Sequence, residues 1–165
     1  MPDLEHRNVL RVVQAAAVQG LSIEVRHFPE GTHTADDAAR AIGCTIDQIV
    51  KSLVFLADGQ PVVALVCGSD RVDTERLAAA LGSGAVRRAT VHEAHHATGF
   101  TIGGIPPFGH ERALPVLVDE GLLRHEVVWA AAGLPDAVFS IAPADLVRVA
   151  NARPVAIATG GPSAA

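Results

Sequence analysis

The chain has 165 residues, 49% of them apolar but with only five Phe, one Trp and no Tyr, which suits one aliphatic-cored domain and excludes a disordered chain. Its formal charge of −5 gives no basic footprint for gripping nucleic acid through phosphates alone, so any nucleic-acid contact must be local and DNA is not an expected partner. No apolar run approaches the ~18 residues of a membrane span and the N-terminus lacks an apolar signal region, so a cytoplasmic location with no membrane partner is expected.

In chain order, Leu4, Leu10, Val13, Ala17 and Val18 keep helical spacing between a capping Asp3 and a terminating Gly20, which predicts a first helix over 3–19. Residues 22–28 read as a strand. Thr34-Ala-Asp-Asp37 resembles a capping box and opens a short Ala-rich helix closing at Gly43, and Thr45 caps a further turn. The runs 50–57 and 61–67 flank Asp58-Gly59, a strong hairpin signal with a turn extended by Gln60 as the alternative, and are expected to pair antiparallel. Asp73 caps a helix ending at Gly82, and Thr90-Val-His-Glu93 is a second capping box whose helix stops at Gly99. Strands are expected at 114–118, 126–129, 137–141 and 155–158, with a helix over 143–149 that has Pro at its start. The order lacks strict strand–helix alternation, which favours an α+β fold with a mixed, barrel-like curved β-sheet surrounded by helices. One domain is expected over 1–158, with residues 1–20 as its N-terminal helix and 159–165 as a flexible tail.

Two segments carry chemistry. Lys51 sits inside the apolar run Ile49–Phe55, where an ammonium is costly to bury unless it meets solvent or a negative or carbonyl-bearing ligand. About fifty residues later comes Gly103-Gly104-Ile105-Pro106-Pro107-Phe108-Gly109-His110, a loop whose glycines permit close approach and whose remaining N–H groups are free to point at a ligand.

Other motifs are weaker. His92-Glu93-Ala94-His95-His96 matches the zinc pattern H-E-x-x-H, but the third metzincin position is Ile102, and Thr90 makes Glu93 a capping residue rather than a base. Cys44 and Cys67 have no C-x-x-C spacing and are expected to pack as small apolar groups, although a Cys67 nucleophile is an open alternative. Arg71, Arg76, Arg87, Arg88, Arg124, Arg148 and Arg153 are candidate basic contacts whose commoner explanation is scattered solvation. No cofactor and no metal are expected.

With the lysine strand, the glycine-proline loop, the upstream Gly31–Gly43 segment and the downstream Gly133–Leu146 segment in order, the chain resembles the YbaK/ProX family of aminoacyl-tRNA editing domains from about Val25 to Ala156. The resemblance implies hydrolysis of the ester of a mischarged tRNA, in trans, with aminoacyl-tRNA engaged at its acceptor end and an aminoacyl-tRNA synthetase as a further partner. It puts the family's functional lysine on Lys51 and its G-x-x-x-P loop on Gly103 to Pro107. Catalytic roles are then expected for Lys51, Gly103 and Gly104, with Gly103, Gly104 and Ile105 offering N–H groups to the oxyanion. Substrate contacts are expected at His33, Thr34, Ser52, Ile105, Pro106, Pro107 and His110. For Thr34 a capping role, and for His110 a backbone-bonded, loop-closing role, are equally open. The rivals are a zinc hydrolase using His92, Glu93 and His96, and a noncatalytic aminoacyl- or nucleotide-binding module, against which the intact Lys51 and loop argue.

Overall fold

Alternating apolar side chains along β2 (Val50–Ala57) and β3 (Gln60–Cys67) bury both faces of one antiparallel hairpin. Val50, Val54, Val63, Leu65 and Cys67 enter one core cluster, while Phe55, Ala57, Val62, Ala64 and Val66 enter a second on the opposite face. The turn takes two residues, Asp58 at φ 49° and Gly59 at φ 82°, so Gln60 already pairs with Ala57 and does not extend it. This computed structural model describes residues 4–28 and 34–159.

Around the hairpin runs a five-stranded mixed sheet in the order β5-β2-β3-β6-β9, where β5 is Val86–Arg88, β6 Val116–Asp119 and β9 Ala152–Val155. β5 adds antiparallel to β2, whereas β6 and β9 continue parallel to β3. A three-stranded antiparallel sheet of β1 (Val25–His27), β8 (Ala137–Ile141) and β7 (Val128–Ala131) packs against the first core cluster, and a bridge from Ile49 to Trp129 joins it to the start of β2. β4 (Arg71–Val72) and β10 (Ala158–Thr159) form a third, two-stranded sheet. The fold is mixed α+β as expected, but among the described residues the strands divide into three sheets rather than closing one barrel.

Helix ends follow the sequence closely. α2 (Ala35–Ile42) starts with Thr34 Oγ1 accepting from Asp37 N at 3.0 Å, and α4 (Val91–Thr98) carries the full Thr90–Glu93 box. α3 (Thr74–Leu81) is capped by Asp73, and α5 (Pro143–Ala150) has its proline at the first turn. The first helix, α1 (Leu4–Val18), is where sequence periodicity chose the wrong face. Leu10 and Val18 are 51% and 81% exposed, while Val12 and Ala16 are fully buried with Val9 and Ala15 packed beside them. Small Ala15 lets the helix approach the loop at Gly109, where an added Cβ would stand 3.3 Å from the Ala15 methyl. Close approach selected that face over the bulkier one. The expected cap Asp3 lies outside the described residues.

Several strand bounds moved by one to three residues, β4 was not expected, and three further differences have a physical reason. β5 has no alternating signature and exists because its three residues complete the β2 edge. The strand expected at 155–158 splits into β9 and β10, with Pro154 accommodated because β9 is an edge strand. Thr159, expected in the tail, pairs with Arg71, and the rest of the tail lies outside the described residues.

The crossing of β6 and the chain end is fastened by Asp119, a carboxylate only 5% exposed that accepts from Gly121 N at 2.9 Å, Ile157 N at 2.9 Å and Ala158 N at 2.8 Å. Asp119→Ala strips three N–H groups, one buried and two partly buried, of their acceptor and should cost about 3 kcal/mol in a urea unfolding experiment, with Asp119→Asn losing less. An Asp119→Ala protein as stable as wild type would mean the carboxylate is not the fastener.

Candidate active site

The site is built on an unfinished strand edge. β5 meets β2 only at Phe55, Leu56 and Ala57, with one more bond from Ala89 N to Val54 O at 3.0 Å, so residues 50–53 have no strand partner from β5. A two-residue turn makes Ala57–Gln60 a hydrogen-bonded pair, and ladder alternation then turns the N–H and C=O of Ser52 away from β3. On that side lies a cavity of about 450 Å³ lined by residues 50–54 of β2, the start of α2, the loop at Ile102, Gly103 and Ile105, and Trp129 to Ala131 of β7.

Lys51 lines this cavity, half-buried. Its Nζ donates to the carbonyl oxygen of Asp70, which leaves two of the three ammonium protons for a ligand. Burial pushes its pKa below the usual 10.5, the Asp70 carboxylate opposes that shift, and Arg88 and Arg71 reinforce it. Arg88, lining the same cavity with its guanidinium 5.9 Å from the Phe55 ring, adds a second positive charge.

Ser52 also lines the cavity, and its Oγ is the one buried side-chain polar atom among the described residues that has no hydrogen-bond partner. Thr34 joins them at the wall, its hydroxyl already serving as the α2 cap. His33 lies outside the described residues.

The glycine-proline loop is held from behind. Phe100 is fully buried, Phe108 is 4% exposed and meets Phe139 at a ring separation of 5.5 Å, and Pro106 and Pro107 are buried. His110 closes the loop through Nε2, 2.7 Å from the carbonyl oxygen of Pro106, an acceptor that requires the proton on Nε2. Burial lowers its pKa below 6.5 despite that bond, so the ring is neutral at pH 7. It lines a separate surface hollow with Arg11, Gln14 and Ala15 of α1 and does not line the cavity that holds Lys51.

Within the loop the roles divide. Gly103 is exposed at φ +101° and Ile105 is buried, both line the cavity, and among the described residues neither N–H has a hydrogen-bond partner. Gly104 does not join them: its N–H donates to Thr101 O at 2.9 Å, and the residue lies against the Leu134 backbone. Of the three loop N–H groups expected to face a ligand, those of Gly103 and Ile105 are therefore unpaired among the described residues and that of Gly104 is not. Pro106 and Pro107 shape the loop without lining the cavity.

The family model for the aminoacyl-tRNA editing domain matches residues 29–149, which include Lys51, Ser52 and the whole loop. The chain belongs to the aminoacyl-tRNA editing domain family. A solved structure of a candidate trans-editing enzyme for prolyl tRNA synthetase is 38% identical with a TM-score of 0.87, covering 93% of this chain and 98% of that one. A candidate Cys-tRNA(Pro)/Cys-tRNA(Cys) deacylase of Enterococcus faecalis is 26% identical over 153 residues, 92% of this chain and 93% of the relative. The proline–tRNA ligase of Nitratidesulfovibrio vulgaris is 34% identical over 92 residues, and that match spans 56% of this chain but only 16% of the ligase. Family membership gives the class of activity: aminoacyl-tRNA deacylation.

Other side chains of this editing domain hold structural posts. Glu93 accepts from Thr90 N at 2.9 Å and takes Arg87 in two bonds of 2.8 Å, and these partners hold its pKa at about 2. That is the capping role expected from the sequence, and among the described residues no three His, Cys, Asp or Glu side chains are grouped to hold a metal ion. Cys67 packs in the core, and burial with the nearby Asp70, Asp47 and Asp119 carboxylates pushes its pKa to about 12, so no thiolate is available for nucleophilic attack. Arg76, Arg148 and Arg153 spend themselves on local carbonyls and carboxylates. Trp129 was not singled out as a site residue by the sequence, and Arg88 stood there only as one of several scattered candidate basic contacts. A lone tryptophan in a strand carries no periodic signal distinguishing core from cavity wall.

An unsatisfied buried hydroxyl costs roughly 1 kcal/mol or more, so Ser52→Ala should leave thermal stability equal or raise it while lowering turnover. A clear stability loss would show that Oγ has a structural partner.

The loop glycines should also separate. A Cβ at Gly104 would stand 2.9 Å from Leu134 backbone atoms, whereas one at Gly103 meets nothing within 4 Å and pays only the strain of its positive φ. Gly104→Ala is expected to lose about 1–3 kcal/mol more than Gly103→Ala in denaturant unfolding. Equal losses would contradict the packing account.

Proposed function

We propose that the cavity takes the 3′ acceptor end of a mischarged tRNA and hydrolyses the ester of a small amino acid, such as Ala, Ser, Cys or Thr, in the cytoplasm where tRNAs are charged. The observation carrying this reading is the convergence of one half-buried cation, Lys51, and two unpaired loop N–H groups, Gly103 and Ile105, on a single cavity. The N–H pair stabilises the oxyanion that forms when water adds to the ester carbonyl. The Lys51 ammonium holds the terminal phosphate or the ester oxygens. The tetrahedral intermediate then collapses with cleavage of the acyl–oxygen bond, freeing the amino acid and the terminal ribose. Among the described residues no side chain stands ready as general base, and the reading assigns that part to the vicinal ribose hydroxyl, with the water proton ending on the departing ribose oxygen.

The size of the acyl group follows from the wall. Ala35, Ala38, Ala130 and Ala131 line it with Ile46 and Ile49, apolar surfaces that suit a short side chain. The names borne by the relatives support tRNA(Pro) or a related tRNA as substrate and prolyl-tRNA synthetase as partner. A partner of that kind also supplies the phosphate contacts that a chain of net charge −5 lacks.

The test is a deacylation panel of tRNA(Pro) charged with Ala, Ser, Cys, Thr and Pro. At least one small aminoacyl ester should be cleaved and Pro-tRNA(Pro) spared, with Lys51→Ala at least tenfold slower, the scale of a lost contact worth ~1.4 kcal/mol, and still folded. No hydrolysis of any ester, or a folded Lys51→Ala protein with unchanged rate, would sink this reading.

A further inference from the structure

Trp129 is the only tryptophan in a chain without tyrosine. Its half-buried indole packs on the α2 cluster of Ala38, Ala39 and Ile49 and also lines the cavity. The β1-β8-β7 register pairs Arg26 with Val138, Val138 with Ala131 and Ser140 with Trp129, so Arg26 and Trp129 share one face of that sheet. The Arg26 guanidinium lies 5.4 Å from the Trp129 ring centroid and 5.5 Å from that of Phe28. Arg26 is exposed, and among the described residues it pairs with no carboxylate. A planar cation thus rests against two aromatic rings, one of which lines the cavity, the combination with which proteins hold unpaired bases.

We propose that Trp129 and Arg26 form a stacking subsite for the terminal nucleotide of the substrate: the base replaces the guanidinium against the indole, and the released Arg26 pairs with the 5′ phosphate of that nucleotide. The exchange runs this way because an exposed cation–π contact is weaker than base–aromatic stacking. Location supports it too. The Ile49–Trp129 bridge sets the indole beside the start of β2, one strand spacing from the edge that carries Lys51 and Ser52. A base on Trp129 therefore leaves its ribose directed at the cavity wall formed by Lys51 and the loop. The subsite rests on the acceptor-end reading above for what the nucleotide is attached to, but its binding is measurable without turnover.

Trp129 is its own reporter. Titrating the wild-type protein with AMP and with adenosine should quench its emission saturably, AMP binding roughly threefold to tenfold tighter because of the phosphate. In Arg26→Ala the advantage of AMP should vanish while adenosine binds as well as before or better, its competitor being gone. Emission unmoved up to about 10 mM AMP, or an Arg26→Ala protein keeping the wild-type preference for AMP, overturns the subsite. Quenching by a protein that deacylates none of the panel would keep the subsite and remove the deacylase reading of the cavity, whereas deacylation without quenching removes the subsite alone.

Discussion

Everything at this site depends on a strand that is buried on both faces yet paired along only part of one edge. β2 gives Val50 and Val54 to one core cluster and Phe55 and Ala57 to the other, so the strand is held by burial on either side. β5 then covers just its last three residues. The exposed stretch of backbone that remains is rigid because its neighbours are core, and polar because it lacks a ladder partner. A cavity wall of that kind presents N–H and C=O groups at fixed positions without spending side-chain entropy on them.

The facing wall obtains its rigidity differently. The loop after α4 has no regular structure, and its shape comes from Phe100 and Phe108 in the core, from two buried prolines, and from the His110 bond to Pro106. Protonation keeps the Nε2–H donor of that bond but places a charge where burial disfavours it, so stability is lost as pH falls through a folded-state value lying below 6.5. Between two stiff walls the mobile elements are side chains: Lys51 with spare donors, Ser52 with an unused hydroxyl, and the exposed Arg26. Binding can be paid for locally, with no rearrangement of the sheet.

Charge is organised on the same principle. The chain is acidic overall, yet its cavity carries Lys51 and Arg88, while several other arginines are occupied by nearby carboxylates and carbonyls. Local concentration of positive charge suits an acceptor end, whose few phosphates need few cations. Asp70, Asp47 and Asp119 add to burial in raising the thiol pKa of Cys67, and Asp70 also opposes the loss of the lysine proton, which ties the acidic composition to the site as well.

Much was legible in the sequence because it was written in local rules. Thr34, Asp73 and Thr90 capped helices as hydrogen-bond chemistry requires, Asp58-Gly59 turned the hairpin, and Lys51 with the glycine-proline loop stood out because an ammonium in an apolar run and a donor-rich loop both call for a ligand. What the sequence could not hold was anything set by contact between distant segments. The buried face of α1 was decided by how closely small alanines could approach the loop, and β5 by a three-residue gap on a neighbouring strand. The same limit applied to the loop N–H groups: Gly103 and Gly104 are chemically identical, and only the turn that gives the Gly104 N–H to Thr101 tells them apart. Trp129 and Arg26 lie about a hundred residues apart and meet because β1 and β7 both border β8. Periodicity and capping act over a few residues, whereas a cavity is the space left after strands from opposite ends of the chain have packed, and its walls exist only once they have.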